Sequence, residues 1–412
     1  MNSNSEISSS EILNSELLAE VTNRITKTPQ NRITFAEYMD LVLYHPQHGY
    51  YSQKAASLGK KGDFFTSVHL GSDFGEMLAV QFVQMWEILG KPKHFSLVEL
   101  GAGQGYLALD ILKYLQQHHP DFFAALEYLI VEKSPGLKQN QQQRLQEFSV
   151  QWCELESLPA NKITGCFFSN ELFDALPVHQ FTVSEGELKE IYVTTAAPQN
   201  RNESQNQFAN NQFNNLFQEI TDTPSTPQIK EYFQILGVDI TTYPDEYRSE
   251  VNLNALDVLS AIANKLQRGY LLTIDYGYPE NRYYNPRRSQ GTLQCYWQHQ
   301  RHNNPYINIG KQDITAHIDF TALEIWGERY GLNKTGFTQQ GLFLMALGLG
   351  KRISELSYTY KSVPKLIKRR DSLQQLLDPL GLGGFGVLIQ DKGLSETEKN
   401  QPLQGFYEPQ LT

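Results

Sequence analysis

Residues Leu97 to Leu115 read LVELGAGQGYLALDILKYL, an apolar run that enters glycines at alternate positions, Gly101, Gly103 and Gly105, and leaves as a helix. That helix carries Leu107, Ala108, Ile111, Leu112 and Leu115 as an apolar stripe. The same alternation continues downstream. EYLIVEK precedes the polar helical stretch SPGLKQNQQQRLQEF, short strands follow at 149–152 and at GCFFSN, and LNALDVLSAIANKL then feeds YLLTID. Within LNALDVLSAIANKL, Leu256, Leu259, Ile262, Ala263 and Leu266 recur at helical spacing. Strands that alternate with helices predict an α/β chain built on a parallel sheet with helices on both faces.

The flanking segments suggest how the rest is organised. Residues 1–30 form a polar lead with room for one short helix. In TFAEYMDLVLYHPQHGYY, Thr34 and Glu37 have capping-box spacing, and the helix they open should stop before Pro46. A further helix places Met77, Leu78, Phe82, Met85 and Leu89 on one face. Residues 31–196 and 251–393 are expected to form one domain with an N-terminal helical extension. Residues 197–250 are expected to be an insertion. Its Asn/Gln-rich part, to about 226, cannot bury enough apolar surface to offset its ordering entropy and reads as a loop without a catalytic role. The remainder of the insertion is expected to be a small lid, and 394–412 a C-terminal tail.

Composition narrows the classes of partner. With 35 basic and 45 acidic side chains the net charge is −10, which argues against a nucleic-acid backbone as ligand. The three cysteines, Cys153, Cys166 and Cys295, show neither metal-ligand spacing nor a disulfide framework. No apolar run approaches the roughly 18 residues of a membrane span, so no membrane insertion is expected. The N-terminus MNSNSEISSSEILNSELLAEV resembles neither a secretory signal nor an Arg-rich presequence, and a cytoplasmic location is the expectation. A homodimer is left open.

Glycine after the first strand lets backbone approach a ligand with no Cβ in the way, at the rim where doubly wound sheets bind theirs. Alone, the glycines leave a methyl donor, a dinucleotide or a bare tight turn as readings. Their spacing is G-x-G-x-G rather than the G-x-G-x-x-G of dinucleotide sites. Glu99 stands two residues before the first glycine, where a carboxylate suits a cationic ligand and would repel a pyrophosphate. Glu132 ends the next strand, placed to accept both hydroxyls of an adenosine ribose. Together these favour S-adenosyl-L-methionine, with a nicotinamide-dependent oxidoreductase as a less favoured alternative. Backbone around Ala102 belongs to the same turn, and Asp63 and Thr66 in GDFFTS are candidates to close over the donor's methionine end.

Candidates for chemistry follow the fourth strand. FFSNELFDALPVHQF holds Asn170, Glu171 and Asp174; the two carboxylates, three residues apart, are expected on one face of a helical turn. Paired carboxylates can grip a guanidinium in a bidentate way and localise its charge, which makes arginine a plausible acceptor. Asp174 has an alternative role as a cap. In QDITAHIDFTALEIW, Asp319 reads as a helix N-cap, and His317 as a proton acceptor or substrate contact against a structural alternative. Asp313, in the same stretch, is a weaker candidate. Asp275 and Tyr276 end another strand at the same rim. NPRRSQGTLQCYWQHQRH mixes basic and aromatic residues in a way that suits a protein partner better than nucleic acid.

Four blocks, GDFFTSVHLGSDFGEMLA, VELGAGQGYLALDIL, SNELFDALPVHQF and DITAHIDFTAL, occur in the order seen in the MidA-like family, over roughly residues 32–393. The chain resembles that family, which includes the mitochondrial protein arginine methyltransferase that assists assembly of respiratory complex I. The resemblance implies a Rossmann-like, class I S-adenosylmethionine-dependent fold and methylation of arginine in a partner protein such as a complex I-type subunit. It places the donor at Glu99, Gly101, Gly103, Glu132 and Asn170–Glu171. A bacterial cytoplasmic member is expected. A donor-binding assembly chaperone without turnover is the alternative within the family.

Overall fold

The computed structural model describes residues 9–57, 66–196, 216–359 and 362–408. The chain divides into two compact units, each assembled from three separated stretches. One comprises Phe65–Asp174, Ala255–Glu280 and His317–Thr412; the other comprises Met1–Phe64, Ala175–Asn254 and Asn281–Ala316.

The first of these holds the predicted parallel sheet. Its strands, in chain order, are β1 (Phe95–Leu100), β2 (Leu126–Val131), β3 (Val150–Cys153), β4 (Ile163–Asn170), β5 (Leu266–Asp275), β6 (Asn333–Gln339) and β7 (Gly386–Lys392). In space they lie in the order β3-β2-β1-β4-β5-β7-β6. The first five run parallel, and β7 is antiparallel to both β5 and β6. Chain order reverses between β1 and β4, so the crevice beyond their carboxyl ends is the topological switch point.

β1 is buried along its whole length, as expected of a central strand covered on both faces. Helix α1 (Asp73–Ile88) presents Met77, Leu78, Phe82 and Met85 to the core, and the Phe82 ring packs 5.0 Å from that of Phe168 on β4. Helix α2 (Tyr106–His118) buries all five residues of the apolar stripe. Its Leu107, Ile111, Leu112 and Leu115 side chains each contribute about 1.5–3 kcal/mol when taken from water. Helix α3 (Pro135–Arg144) is polar and buries only Leu137 and Gln141, one helical turn apart. Helix α4 (Leu253–Lys265) leads into β5, and α5 (Phe320–Arg329) is capped by Asp319, whose carboxylate accepts the Ala322 N–H.

The other unit is antiparallel. Strands Ile33–Thr34, Glu187–Thr195, His179–Ser184, Arg248–Val251 and Phe217–Asp222 form one sheet, with a three-stranded sheet from Gln294–Trp297, Gln300–His302 and Asp313–Thr315. Thr34 and Glu37 form the predicted capping box of helix Phe35–Tyr44, which ends where expected, before Pro46.

The expected segmentation does not follow these seams. The supposed polar lead contains helix Ser9–Lys27, whose Leu17, Leu18, Val21 and Ile25 are buried. The Asn/Gln-rich loop lies outside the described residues through 215, but 216–250 is no separate lid. Phe217, Ile229, Tyr232, Phe233 and Tyr247 are buried, and the segment supplies two strands and a helix, Gln228–Leu236, to the antiparallel unit. The expected tail sends Leu394 and Leu403 into the core beneath the parallel sheet. Among the described residues no helix is long and apolar enough to cross a membrane.

Candidate active site

Every described candidate except Asp313 falls in the unit with the parallel sheet, and those from Glu99 to Asp174 lie at the carboxyl ends of β1, β2 and β4. Gly101, Gly103 and Gly105 all have positive φ (68°, 53° and 76°), which lets the chain leave β1 and turn sharply into α2. The turn is fastened at both ends: the Gly101 N–H donates to Val131 O at the end of β2 (3.0 Å), and the Gly105 N–H donates to Ala102 O (2.8 Å). A Cβ on Gly101 would lie 2.7 Å from Leu172 Cδ1, whereas one on Gly103 would meet nothing within 4 Å. The tip of the Leu172 side chain would have to shift for a Cβ at Gly101, while Gly103 borders open space that a ligand can use.

Glu132 follows β2 directly. Its Oε1 accepts the Ser134 N–H (2.9 Å) and its Oε2 accepts from Gln141 Nε2 (3.0 Å). Burial pushes its pKa up, while the Ser134 and Gln141 hydrogen bonds hold it down. Gln141 Nε2 also donates to Gly103 O (2.8 Å), and Gln141 Oε1 accepts from Trp152 Nε1 (2.9 Å). Sequence reasoning passed over Gln141 because it sits in a run of glutamines. The available signal was its i, i+4 relation to Leu137, which puts it on the one buried face of α3.

Glu99 is buried beside the glycine turn, and its Oε2 accepts from Tyr128 Oη (2.7 Å). Burial raises its pKa to about 7; the Tyr128 hydrogen bond works against that shift and the charge of Glu132 adds to it. On β4, Asn170 Nδ2 donates to Glu171 Oε1 (3.1 Å), and Asn170 Oδ1 is buried without a donor among the described residues.

Glu171 and Asp174 do not share a helical face. Glu171 is in the left-handed region (φ 50°), its N–H donating to Ile274 O (2.9 Å), and a 3-10 turn begins only at Phe173. The left-handed kink breaks the helical geometry their spacing suggested. Asp174 is buried, while Glu171 is partly exposed. Asp275, at the end of β5, gathers this loop: its Oδ2 accepts from the Phe173 and Asp174 N–H groups (3.0 and 3.2 Å) and its Oδ1 from Tyr276 N–H (2.9 Å). Burial raises the Asp275 pKa well above the ordinary carboxylate range, with the charges of Asp174 and Glu171 adding to it. Three carboxylates thus sense one another at one point of the rim.

His317 reaches the same rim. A parallel pairing of Gly277–Tyr278 with Ile318–Asp319 holds it, with the Ile318 N–H donating to Tyr276 O (3.1 Å). Its ring stacks on Tyr278 (5.1 Å, 15°) and meets Tyr276 edge-on (4.9 Å). Thr66 approaches less directly: its Oγ1 lies 3.0 Å from His69 Nδ1, and His69 packs edge-on against Tyr106, the first residue of α2. Asp63 lies outside the described residues. Asp313 belongs to the other unit, where it accepts from Tyr51 Oη (2.9 Å).

A glycine turn, two strand-end carboxylates and a carboxylate-lined rim at the switch point also mark a known family. Residues 77–338 match the family model described as "Putative S-adenosyl-L-methionine-dependent methyltransferase". The chain belongs to this family. Among relatives of this methyltransferase, the mitochondrial protein arginine methyltransferase NDUFAF7 homolog of Drosophila melanogaster is 29% identical over 405 residues, spanning 91% of this chain and 85% of that one. The mitochondrial NDUFAF7 of Mus musculus is 28% identical over 392 residues, spanning 88% and 79%. A superfamily member from Burkholderia thailandensis, crystallised with S-adenosyl-homocysteine, superposes with a TM-score of 0.80 at 25% identity over 96% of both chains. The fold expected from sequence, a class I methyltransferase sheet, is the one observed, and the donor is S-adenosyl-L-methionine.

The residues present fit that donor. Open space at Gly103 admits a ligand against bare backbone, Glu132 offers a carboxylate for vicinal hydroxyls, and the Asn170 Oδ1 lacks the donor that a ligand N–H would provide. Glu99 offers negative charge to a cation, although Tyr128 already occupies one of its oxygens.

Proposed function

We propose that this methyltransferase modifies arginine side chains of a protein partner, with Glu171 gripping the guanidinium. The observation behind this reading is the meeting of Glu171, Asp174 and Asp275 at the carboxyl ends of β4 and β5, beside the ring cluster of Tyr276, Tyr278 and His317. A cationic, planar acceptor suits that chemistry: a carboxylate takes its N–H groups in pairs and ring faces stabilise its charge.

When bound, the donor supplies an electrophilic methyl on a positively charged sulfur. The protein's share is positioning. Asp275, through three backbone N–H groups, sets the shape of the loop that carries Glu171. Asn170 donates to Glu171 Oε1 and so orients the carboxylate. Drawing guanidinium charge toward two nitrogens leaves electron density on the third, which attacks as the C–S bond breaks and a C–N bond forms. The proton lost from that nitrogen passes to Glu171 or, in the alternative assignment, to His317.

The names of the Drosophila and mouse relatives support arginine as acceptor, and a complex I-type subunit is the partner we carry forward. Incubation with radiolabelled S-adenosyl-L-methionine and cell extract should label a polypeptide at arginine, and label confined to small molecules or RNA would overturn the reading. The cysteines Cys153, Cys166 and Cys295 are free thiols, in keeping with the cytoplasmic location we propose; cell fractionation tests it. A homodimer remains part of the proposal, to be checked by light scattering.

A further inference from the structure

Gln141 supplies a side-chain tie between two parts of the donor site, beside the backbone bond from Gly101 to Val131. Its side-chain amide is fully buried and uses both kinds of hydrogen-bonding group: Nε2 donates to Gly103 O (2.8 Å) and Glu132 Oε2 (3.0 Å), and Oε1 accepts the Trp152 indole N–H (2.9 Å). The Trp152 bond fixes which end of the amide is which, because an indole N–H can only donate. With Oε1 assigned, the NH2 group points at two acceptors, one on the glycine turn and one on the strand-end acid. The three partners come from the β1–α2 turn, the end of β2 and β3.

No other natural side chain meets the same demands. Glutamate of equal length has, when ionised, no donor for Gly103 O or Glu132, leucine has neither group, and asparagine is one methylene too short. Glu132 accepts Gln141 on Oε2 and the Ser134 N–H on Oε1, so both oxygens are aimed and the remaining lone pairs are held in fixed directions. A carboxylate aimed in that way can read two adjacent hydroxyls; a free one can accept from either but discriminates poorly.

We infer that Gln141 is a positioning residue that makes Glu132 selective for the vicinal ribose hydroxyls of the donor, by locking the carboxylate to the glycine turn. The inference rests on the donor-site reading above and names the residue that confers its sugar selectivity.

The test compares binding of S-adenosyl-homocysteine and its 2′-deoxy analogue by calorimetry to the full chain. In the wild type the ribose form should bind at least about tenfold more tightly, since hydrogen bonds to a charged acceptor are among the stronger ones. In Gln141→Leu that ratio should collapse toward unity, with the deoxy analogue's own affinity changing far less than that of the ribose form. A purely structural role would weaken both ligands equally and keep the ratio, and that result would overturn the inference. Gln141→Glu gives a second readout should the leucine variant fail to fold. The introduced carboxyl, when protonated, has a single O–H that can serve Glu132 or Gly103 O but not both, and it repels Glu132 when ionised, so the selectivity ratio should recover part of the way at low pH and fall as pH rises. A ratio in this variant that equals the wild-type value and is flat with pH would also overturn the inference. If the wild type binds neither ligand, the donor site itself is misassigned, which is a separate failure from equal loss in the variants.

Discussion

Glu99 offers a proton-counting test of the donor site. Its pKa of about 7, against an ordinary 4.5, means that holding it ionised in the folded protein costs roughly 3 kcal/mol. The folded value lies above the unfolded one, so the side chain's contribution to stability is complete below about pH 4.5 and is lost as pH rises through about 7. A cation placed beside it favours the ionised form and drives the pKa back down. Binding S-adenosyl-L-methionine should therefore expel the proton that Glu99 holds: most of one below about pH 7 and little above it. Calorimetry in buffers of different ionisation enthalpy reads this number as the slope of apparent enthalpy. Glu99→Gln keeps an oxygen for the Tyr128 hydroxyl and has nothing to release, so its slope subtracts the groups that titrate independently of Glu99. Equal slopes for wild type and Glu99→Gln at pH 6 and 7 would refute the reasoning, and would leave Glu99 as a buried partner of Tyr128 alone.

Three other perturbations separate packing from chemistry. Gly103→Val should abolish donor binding with a melting temperature changed only by the strain of a left-handed β-branched residue, about 1–2 kcal/mol, because its side chain enters open space. Gly101→Val should lower stability further as well, since its Cβ meets Leu172; thermal melts with and without S-adenosyl-homocysteine distinguish the two. Glu171→Gln should retain that ligand's affinity and lose on the order of 100-fold or more in turnover, measured as label transferred to protein. Asp275→Ala leaves buried N–H groups of Phe173 and Asp174 without an acceptor and should cost roughly 2–5 kcal/mol in urea denaturation, together with most activity.

Much of the catalytic unit was legible because its information is local. Each strand, turn and helix from Phe95 to Asn170 is a short stretch whose periodicity declares it, and parallel pairing follows from the alternation. Caps were equally legible: Thr34 with Glu37 and Asp319 with Ala322 are contacts three residues apart. The antiparallel unit was not, because its sheet draws strands from residues 33–34, 179–195, 217–222 and 248–251, and no local pattern states that such segments pair. A polar composition also misled at Ser9–Lys27, where Leu17, Leu18, Val21 and Ile25 are buried on a helix that reads as solvent-facing on average.

The site divides along the same line. From sequence alone, the glycine turn, the acids Glu99 and Glu132 and the block Asn170–Asp174 could be placed at strand ends, since position along a strand is a one-dimensional property. Only the tertiary structure decided how these groups act. The left-handed backbone at Glu171 separates it from Asp174, Asp275 gathers the loop by three N–H bonds, Tyr128 shares Glu99, and Gln141 joins Gly103 to Glu132. Hydrogen bonds are directional and act over about 3 Å, so which of many polar side chains finds which partner depends on strand register and helix rotation. Those quantities come into being when the chain closes on itself.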